Sequence, residues 1–191
     1  MKKLLFVAAC TLCFAISMQA QRDQTLFNRS GLGLTGAWGG SVVGITAFDD
    51  NYAVTRGGYG GLEFGKNLMV GYGGFRTTDE VALGQTAASN FNLDYQGLML
   101  GYGIKSHKVV HPEVLLLVGG GDAEVNNEGD DRVLVVQPAA GVEVNVFRWF
   151  RLGVNGGYRF VMNTDLPGLS DKDLSAFYGE LKLKFGFSWG K

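Results

Sequence analysis

The run Phe177-Tyr178-Gly179-Glu180-Leu181-Lys182-Leu183-Lys184-Phe185-Gly186-Phe187-Ser188-Trp189 limits the chain more than any other feature. It sets Phe177, Leu181, Leu183, Phe185, Phe187 and Trp189 on one face and Glu180, Lys182, Lys184 and Ser188 on the other. A repeat of two belongs to a strand, whereas a helix would scatter the lysines around its circumference. Upstream, Arg151–Met162 opposes Leu152, Val154, Tyr158, Phe160 and Met162 to Arg151, Asn155 and Arg159. Leu134–Phe147 opposes Leu134, Val136, Val142, Val144 and Val146 to Gln137, Gly141, Glu143 and Asn145. Ser41–Phe48, Tyr52–Phe64, Leu68–Arg76, Phe91–Lys105 and Val110–Val125 bring the count to eight strands. Within Phe91–Lys105 the apolar face switches near Gln96-Gly97, which predicts a bulge. Gly31–Gly40 either lengthens the first strand or, with Gly39-Gly40 as a turn, adds another. Thirty glycines against three prolines fit tightly curved sheet rather than helix.

The start of the chain reads as an export signal. Lys2 and Lys3 precede an apolar run from Leu4 to Ser17, and Ala20 offers a small residue for cleavage before Gln21. That run is too short for a comfortable membrane-spanning helix. Cys10 and Cys13 both lie inside it, and Val7-Ala8-Ala9-Cys10 resembles a lipoprotein box placed in mid-run rather than at its end. Removing residues 1–20 leaves Gln21–Lys191 as a single domain without cysteine, and moves the formal charge from −1 to −3 because two lysines go. There is no basic excess for nucleic acid, and residues 21–191 contain no apolar run long enough for a spanning helix.

Connections alternate in length. Gly65-Lys66-Asn67, Ser106–Val109 and Arg148-Trp149-Phe150 are short, whereas Thr77–Asn90 and Asn163–Ser175 are long. Membrane barrels have short periplasmic turns and longer external loops. Charges sort the same way. Lys66, Lys105, Lys108, Arg148 and Arg151 fall at the short-turn end, and Asp49, Asp50, Asp79, Glu80, Glu128, Asp130, Asp131, Asp171 and Asp173 at the other. Trp149 and Trp189 both fall at the inner rim, as an interfacial aromatic girdle.

Alternation alone leaves open which face points outward, since a soluble lipocalin-type carrier would bury the apolar one. Side-chain size favours lipid outside. The polar faces carry Ala139, Gly141, Gly153 and Gly157, with Gly71, Gly73, Gly101 and Gly103, and small residues suit the narrow interior of an eight-stranded barrel. Leu183 is then on the lipid face. Glu143, Arg159, Glu180, Lys182 and Lys184 share the lumen, where buried charge must be paired, so an ion-pair network and no wide pore are expected.

With these hairpins, the leader and an aromatic-ended last strand, the chain resembles small outer-membrane proteins of the OmpA/OmpX/OmpW barrel type. Gly57-Gly58-Tyr59-Gly60-Gly61, Phe150-Arg151-Leu152-Gly153 with Tyr158-Arg159-Phe160, and Asp165-Leu166-Pro167-Gly168-Leu169-Ser170-Asp171 resemble a bacterial family of that architecture. The resemblance implies an all-β, transmembrane, antiparallel up-and-down barrel of about eight strands, set in the outer membrane of a Gram-negative-type cell. It implies outer-membrane lipid and the barrel-insertion machinery as partners, and is nearly silent about activity. Gly190-Lys191 follow the final aromatic, on which many such barrels end.

Chemistry of the enzymatic kind is not expected. The only histidines, His107 and His111, sit at the predicted inner turn away from the external carboxylates and read as ordinary solvated turn residues. No metal-ligand spacing, nucleophile elbow or phosphate loop is present, so no cofactor or metal is expected. Asn126-Asn127-Glu128-Gly129-Asp130-Asp131 is rich in oxygen but lacks the EF-hand spacing. Asp130, Asp131, Asp165, Asp171 and Asp173 are candidate external contacts for a surface partner. The leading expectation is a structural or surface-binding barrel with a largely plugged lumen. A conduit for small, apolar solutes and a soluble periplasmic lipocalin-like carrier are the alternatives.

Overall fold

A computed structural model describes residues 33–48, 51–77, 91–125, 130–164 and 170–189. Its strands are β1 (Leu34–Phe48), β2 (Asn51–Phe64), β3 (Leu68–Thr77), β4 (Phe91–Gly103), β5 (Val110–Val125), β6 (Asp130–Phe147), β7 (Phe150–Met162) and β8 (Ala176–Ser188), with a short helix α1 (Asp171–Leu174) before β8. Each strand pairs antiparallel with its chain neighbour and β1 pairs with β8, so the eight strands close into a barrel. Closure leaves no unpaired strand edge.

The stagger of the barrel follows from the register. From Val54 the partners run Ile45, Gly179, Gly156, Ala140, Val114, Tyr102, Leu68 and Phe64. One circuit therefore returns to β2 at Phe64 instead of Val54, ten positions further along the strand. Stagger and strand number together set tilt and width, and eight strands enclose a space just wide enough for side chains.

The short connections 65–67, 104–109 and 148–149 share one end with the outset of β1 and the close of β8. Gly65 and Lys66 both have positive φ, at 57° and 66°, and the Asn67 N–H bonds the Phe64 carbonyl at 3.3 Å. Two central residues of positive φ define the turn whose twist matches a hairpin, and Gly65 takes one without steric cost.

The structure decides two points of the first and fourth strands. Gly39 and Gly40 continue β1, paired with Gly60 and Tyr59 on one side and Phe185 and Lys184 on the other, so they form no turn. The bulge expected at Gln96-Gly97 is absent. β4 keeps unbroken register with both neighbours, and Leu93, Tyr95, Gly97, Met99 and Gly101 all face inward. What changes along β4 is the polarity of the outward residues, from Leu98, Leu100 and Tyr102 to Asp94 and Gln96, because the strand climbs past the apolar band. Irregular pairing occurs instead at Leu34/Gly36 and Asn145/Phe147.

The lumen is also less purely small and polar than the Gly- and Ala-rich faces suggest. Trp38, Tyr59, Met69, Phe75, Tyr95, Met99, Leu115, Leu117 and Tyr178 are buried inside it. Glycines make the room. A Cβ on Gly186 would lie 2.8 Å from Trp38 Cδ2, one on Gly101 2.9 Å from Leu115 Cδ2, and one on Gly153 2.8 Å from Lys182 Cε. Gly186→Leu should therefore cost about 1–3 kcal/mol by overpacking against the Trp38 ring and backbone. Gly60→Ala, at an outward position with no atom within 4 Å, should stay within about 0.5 kcal/mol. Urea unfolding of the folded barrel followed by gel mobility checks both.

Candidate functional site

The inward charges of five strands meet in the half of the lumen nearer the short turns. Glu143 on β6 accepts from Lys184 Nζ at 3.1 Å and Arg151 Nη1 at 3.2 Å, and His111 Nε2 lies 3.4 Å away. Glu113 on β5 pairs with Lys182 Nζ and, at 3.7 Å, with Lys184 Nζ. Glu63 on β2 pairs with Arg151 Nη2 at 3.4 Å and accepts from Ser188 Oγ at 2.6 Å. The Arg151 guanidinium lies 3.8 Å over the Trp38 ring, and the Trp38 indole N–H donates to Ser188 Oγ at 3.2 Å. Glu143 and Lys182 are each 1% exposed. Charges this deep persist only where each finds partners, because the desolvation cost per ion is several kcal/mol.

Of the five residues expected in the network, Glu143, Lys182 and Lys184 enter these ion pairs. Arg159 and Glu180 do not. Arg159 is paired across the β7–β8 ladder with Ala176, and Asn155 with Glu180, which sets the two charges four residues apart along the strands with Tyr178 between. At about 3.3 Å per residue that is roughly 13 Å. Arg159, 1% exposed, instead donates Nε to Gln137 at 3.3 Å and Nη2 to Thr46 at 3.0 Å, beneath the Tyr95 ring at 4.7 Å. Glu180 accepts from Asn155 Nδ2 at 3.1 Å.

His111 corrects another expectation. It is no solvated turn residue but 1% exposed, with Nδ1 3.2 Å from the Lys108 carbonyl and Nε2 toward Glu143. β5 begins at Val110, so His111 is its first inward residue, whereas His107 stays exposed in the turn. Glu63, Glu113 and Arg151 complete the cluster. Alternation within their own strands puts each on the inward face. Only barrel closure brings β2 across to β7.

Among the described residues, two residual lumenal cavities measure about 10 Å³ each, one in this cluster and one among Phe75, Met99, Leu117 and Tyr178. Such a space holds about one water.

The outer surface reverses the usual polarity of a folded chain. Val43, Ile45, Leu98, Leu100, Val154 and Leu181 are among many large apolar side chains that point outward and stay exposed. Aromatic rings gather at two heights on the β7–β8 wall. Toward the short turns, Trp149 stacks on Phe147 at 5.5 Å and approaches Phe185 at 6.3 Å, and Phe150 meets Phe185 at 5.0 Å. Trp149 and Trp189 are each 47% exposed. Toward the other end, Tyr158 meets Phe160 and Phe177, both at 4.8 Å.

At that outer end, Asp171 opens α1 and accepts the Thr164 N–H at 2.9 Å, while Leu174 is fully buried. The Thr164 hydrogen bonds hold the Asp171 carboxyl below the usual aspartate range. The anchor is thus complete above the unfolded-state value and lost as pH falls through the depressed one. An NMR titration of the Asp171 carboxyl should place its midpoint below that of the Asp171-containing loop peptide. Asp131 is half-buried at the head of β6. Asp165 and the side chains of Asp130 and Asp173 lie outside the described residues, as do residues 1–20, expected to be a leader, the stretch 126–129 and Gly190-Lys191. Among the described residues no group of three or more His, Cys, Asp or Glu could hold a metal ion.

Two solved structures give the fold its context. The crystal structure of Neisserial surface protein A, NspA, matches with a TM-score of 0.57 at 14% identity, over 84% of this chain and 98% of that one. That of Ail, the attachment invasion locus protein of Yersinia pestis, matches with a TM-score of 0.49 at 16% identity, over 83% of this chain and 99% of that one. No protein-family profile and no curated protein matches the sequence. The chain has the closed, eight-stranded, antiparallel fold of the small OmpA/OmpX-like outer-membrane barrels.

Proposed function

We propose that this barrel is embedded in the outer membrane, with a lumen plugged by its own side chains and a structural or surface-binding role there. The observation that carries the reading is the inverted polarity, bounded by the two aromatic clusters. Phe150 and Phe160 mark those clusters on β7, ten positions apart. At about 3.3 Å per residue and a tilt near 40°, the rise along the barrel axis is roughly 25 Å. An outer-membrane barrel needs an apolar band of about that height between its aromatic girdles. A lipocalin-like carrier would instead face charge outward and keep an apolar cavity inside.

The plug reading is supported by the ion pairs and by the two water-sized cavities left among the described lumenal residues. The plug's position would confine any recognition to the outer end and the outer wall. Gel mobility of membrane fractions, unboiled against boiled in SDS, tests the embedding. A compact species that shifts on boiling is expected, and a soluble periplasmic protein without the shift would overturn it. Planar-bilayer recording tests the plug. No steady conductance is expected, whereas stable channels would make the barrel a conduit.

A further inference from the structure

We propose that the outer wall of β2–β5 holds the phosphate-bearing headgroup of an outer-leaflet lipid, gripped by Arg56 and Arg76. The inference rests on the membrane reading above. Three outward-facing rows run across these strands in direct register. The row nearest the outer end is Arg56, Arg76, Asp94, Asp122 and, on β6, Arg132. Below it come Gly58, Gly74, Gln96 and Gly120, and below those Gly60, Tyr72, Leu98 and Val118. Charge thus lies over a floor of glycine, and the floor over an apolar strip, which is the order of a lipid's headgroup, glycerol or sugar backbone, and chains. Arg56, Arg76, Tyr72, Gly74, Gln96 and Gly120 line one open groove.

Two details point to an occupant. First, three of these four outward glycines are not required by the protein's own packing, whereas a Cβ on Gly58 would lie 3.2 Å from the Gly40 carbonyl. A Cβ would meet nothing within 4 Å at Gly60, and its nearest atom would be 3.8 Å away at Gly74 and 3.7 Å at Gly120. On the inward face a Cβ on Gly61 would lie 2.7 Å from the Val70 carbonyl. Gly60, Gly74 and Gly120 therefore keep the wall thin where the protein's own packing does not demand it.

Second, Arg56 and Arg76 are directly opposed across the β2–β3 ladder. Like charges so placed repel unless an anion lies between them. Arg76 is paired with Asp94 at 2.7 Å and its side chain is still 69% exposed, and Arg56 makes no ion pair among the described residues. Two guanidinium forks suit the oxygens of a phosphate. Arg56 lies eight positions above Phe64 at the inner turn. That is about 20 Å along the axis, so a guanidinium reaching upward meets the headgroup level of a band about 25 Å tall.

The test is native mass spectrometry of the full barrel in non-ionic detergent, titrated with diphosphoryl lipid A and with its dephosphorylated counterpart. The wild type should retain one diphosphoryl lipid, and Arg56→Gln/Arg76→Gln should weaken retention about tenfold or more. Dephosphorylated lipid should bind the wild type as weakly as diphosphoryl lipid binds that variant. The charge-matched Lys108→Gln/Arg148→Gln pair, at the inner end, should leave retention unchanged. Equal retention by the Arg56/Arg76 variant, equal weakening by the inner-end variant, or full competition by inorganic phosphate would overturn the site. The boiling-dependent gel shift separates the two readings. A shifting barrel without phosphate-dependent retention rejects the site alone, and absence of the shift in the wild type rejects both.

Discussion

Arginine in place of Leu181 should lower the stability of the barrel in a phospholipid bilayer by about 2–4 kcal/mol, the cost of a cation near the bilayer midplane. Leu181 is outward, 45% exposed, and lies four residues from Phe177 and four from Phe185, the β8 members of the two aromatic clusters. It is paired with Val154 and Val43, themselves outward and exposed, so its ladder partners offer no charge to compensate. Leu183 lies two residues closer to the inner cluster and should show a smaller penalty, because the cost falls toward the interface. The same arginine at Phe187, beyond the cluster, should cost about 0–1 kcal/mol. Reversible urea unfolding in bilayers reads all three. A flat series near zero would mean that this face meets water.

Lys182→Met should destabilise by about 3 kcal/mol, from the loss of one partner of a buried pair. The value is set at the low end of the usual range of about 3–5 kcal/mol because Lys184 remains 3.7 Å from Glu113 and takes up part of the charge. The double change Glu113→Gln/Lys182→Met should regain most of that loss, because it removes the stranded carboxylate along with its partner. The same unfolding assay, run as a double-mutant cycle, measures the coupling. If the single variant lost nothing, the lumen would be hydrated enough to screen Glu113, and the plug would be loosely packed.

How much of this was legible in the sequence depends on the range of the interaction. Strand identity was local. The alternation of Lys182 and Lys184 with Leu181, Leu183 and Phe185 is visible in a dozen residues, and it assigns each side chain to a face whatever the rest of the chain does. The same reasoning put Glu143 and Arg159 on the inward face. It failed at Gln96-Gly97, where a change in outward polarity imitates a change of face. Alternation reports polarity, and along a strand that leaves the apolar band polarity and orientation part company.

Height and partnership were not local. Arg159 and Glu180 share a face yet lie on different levels of the lumen, and Glu63 meets Arg151 only because β1 closes on β8 and the register advances by ten positions around the barrel. His111 lay inside the expected strand Val110–Val125, where alternation with Glu113 already turns it inward, and only the β5–β6 register sets it against Glu143. By itself, then, the sequence determined the strands, their faces, and the apolar exterior, since these need only a repeat of two and side-chain chemistry. The tertiary structure decided which buried charges meet, which glycines make room for which rings, and which outward arginines share a row. Those depend on stagger and closure, which are properties of all eight strands together.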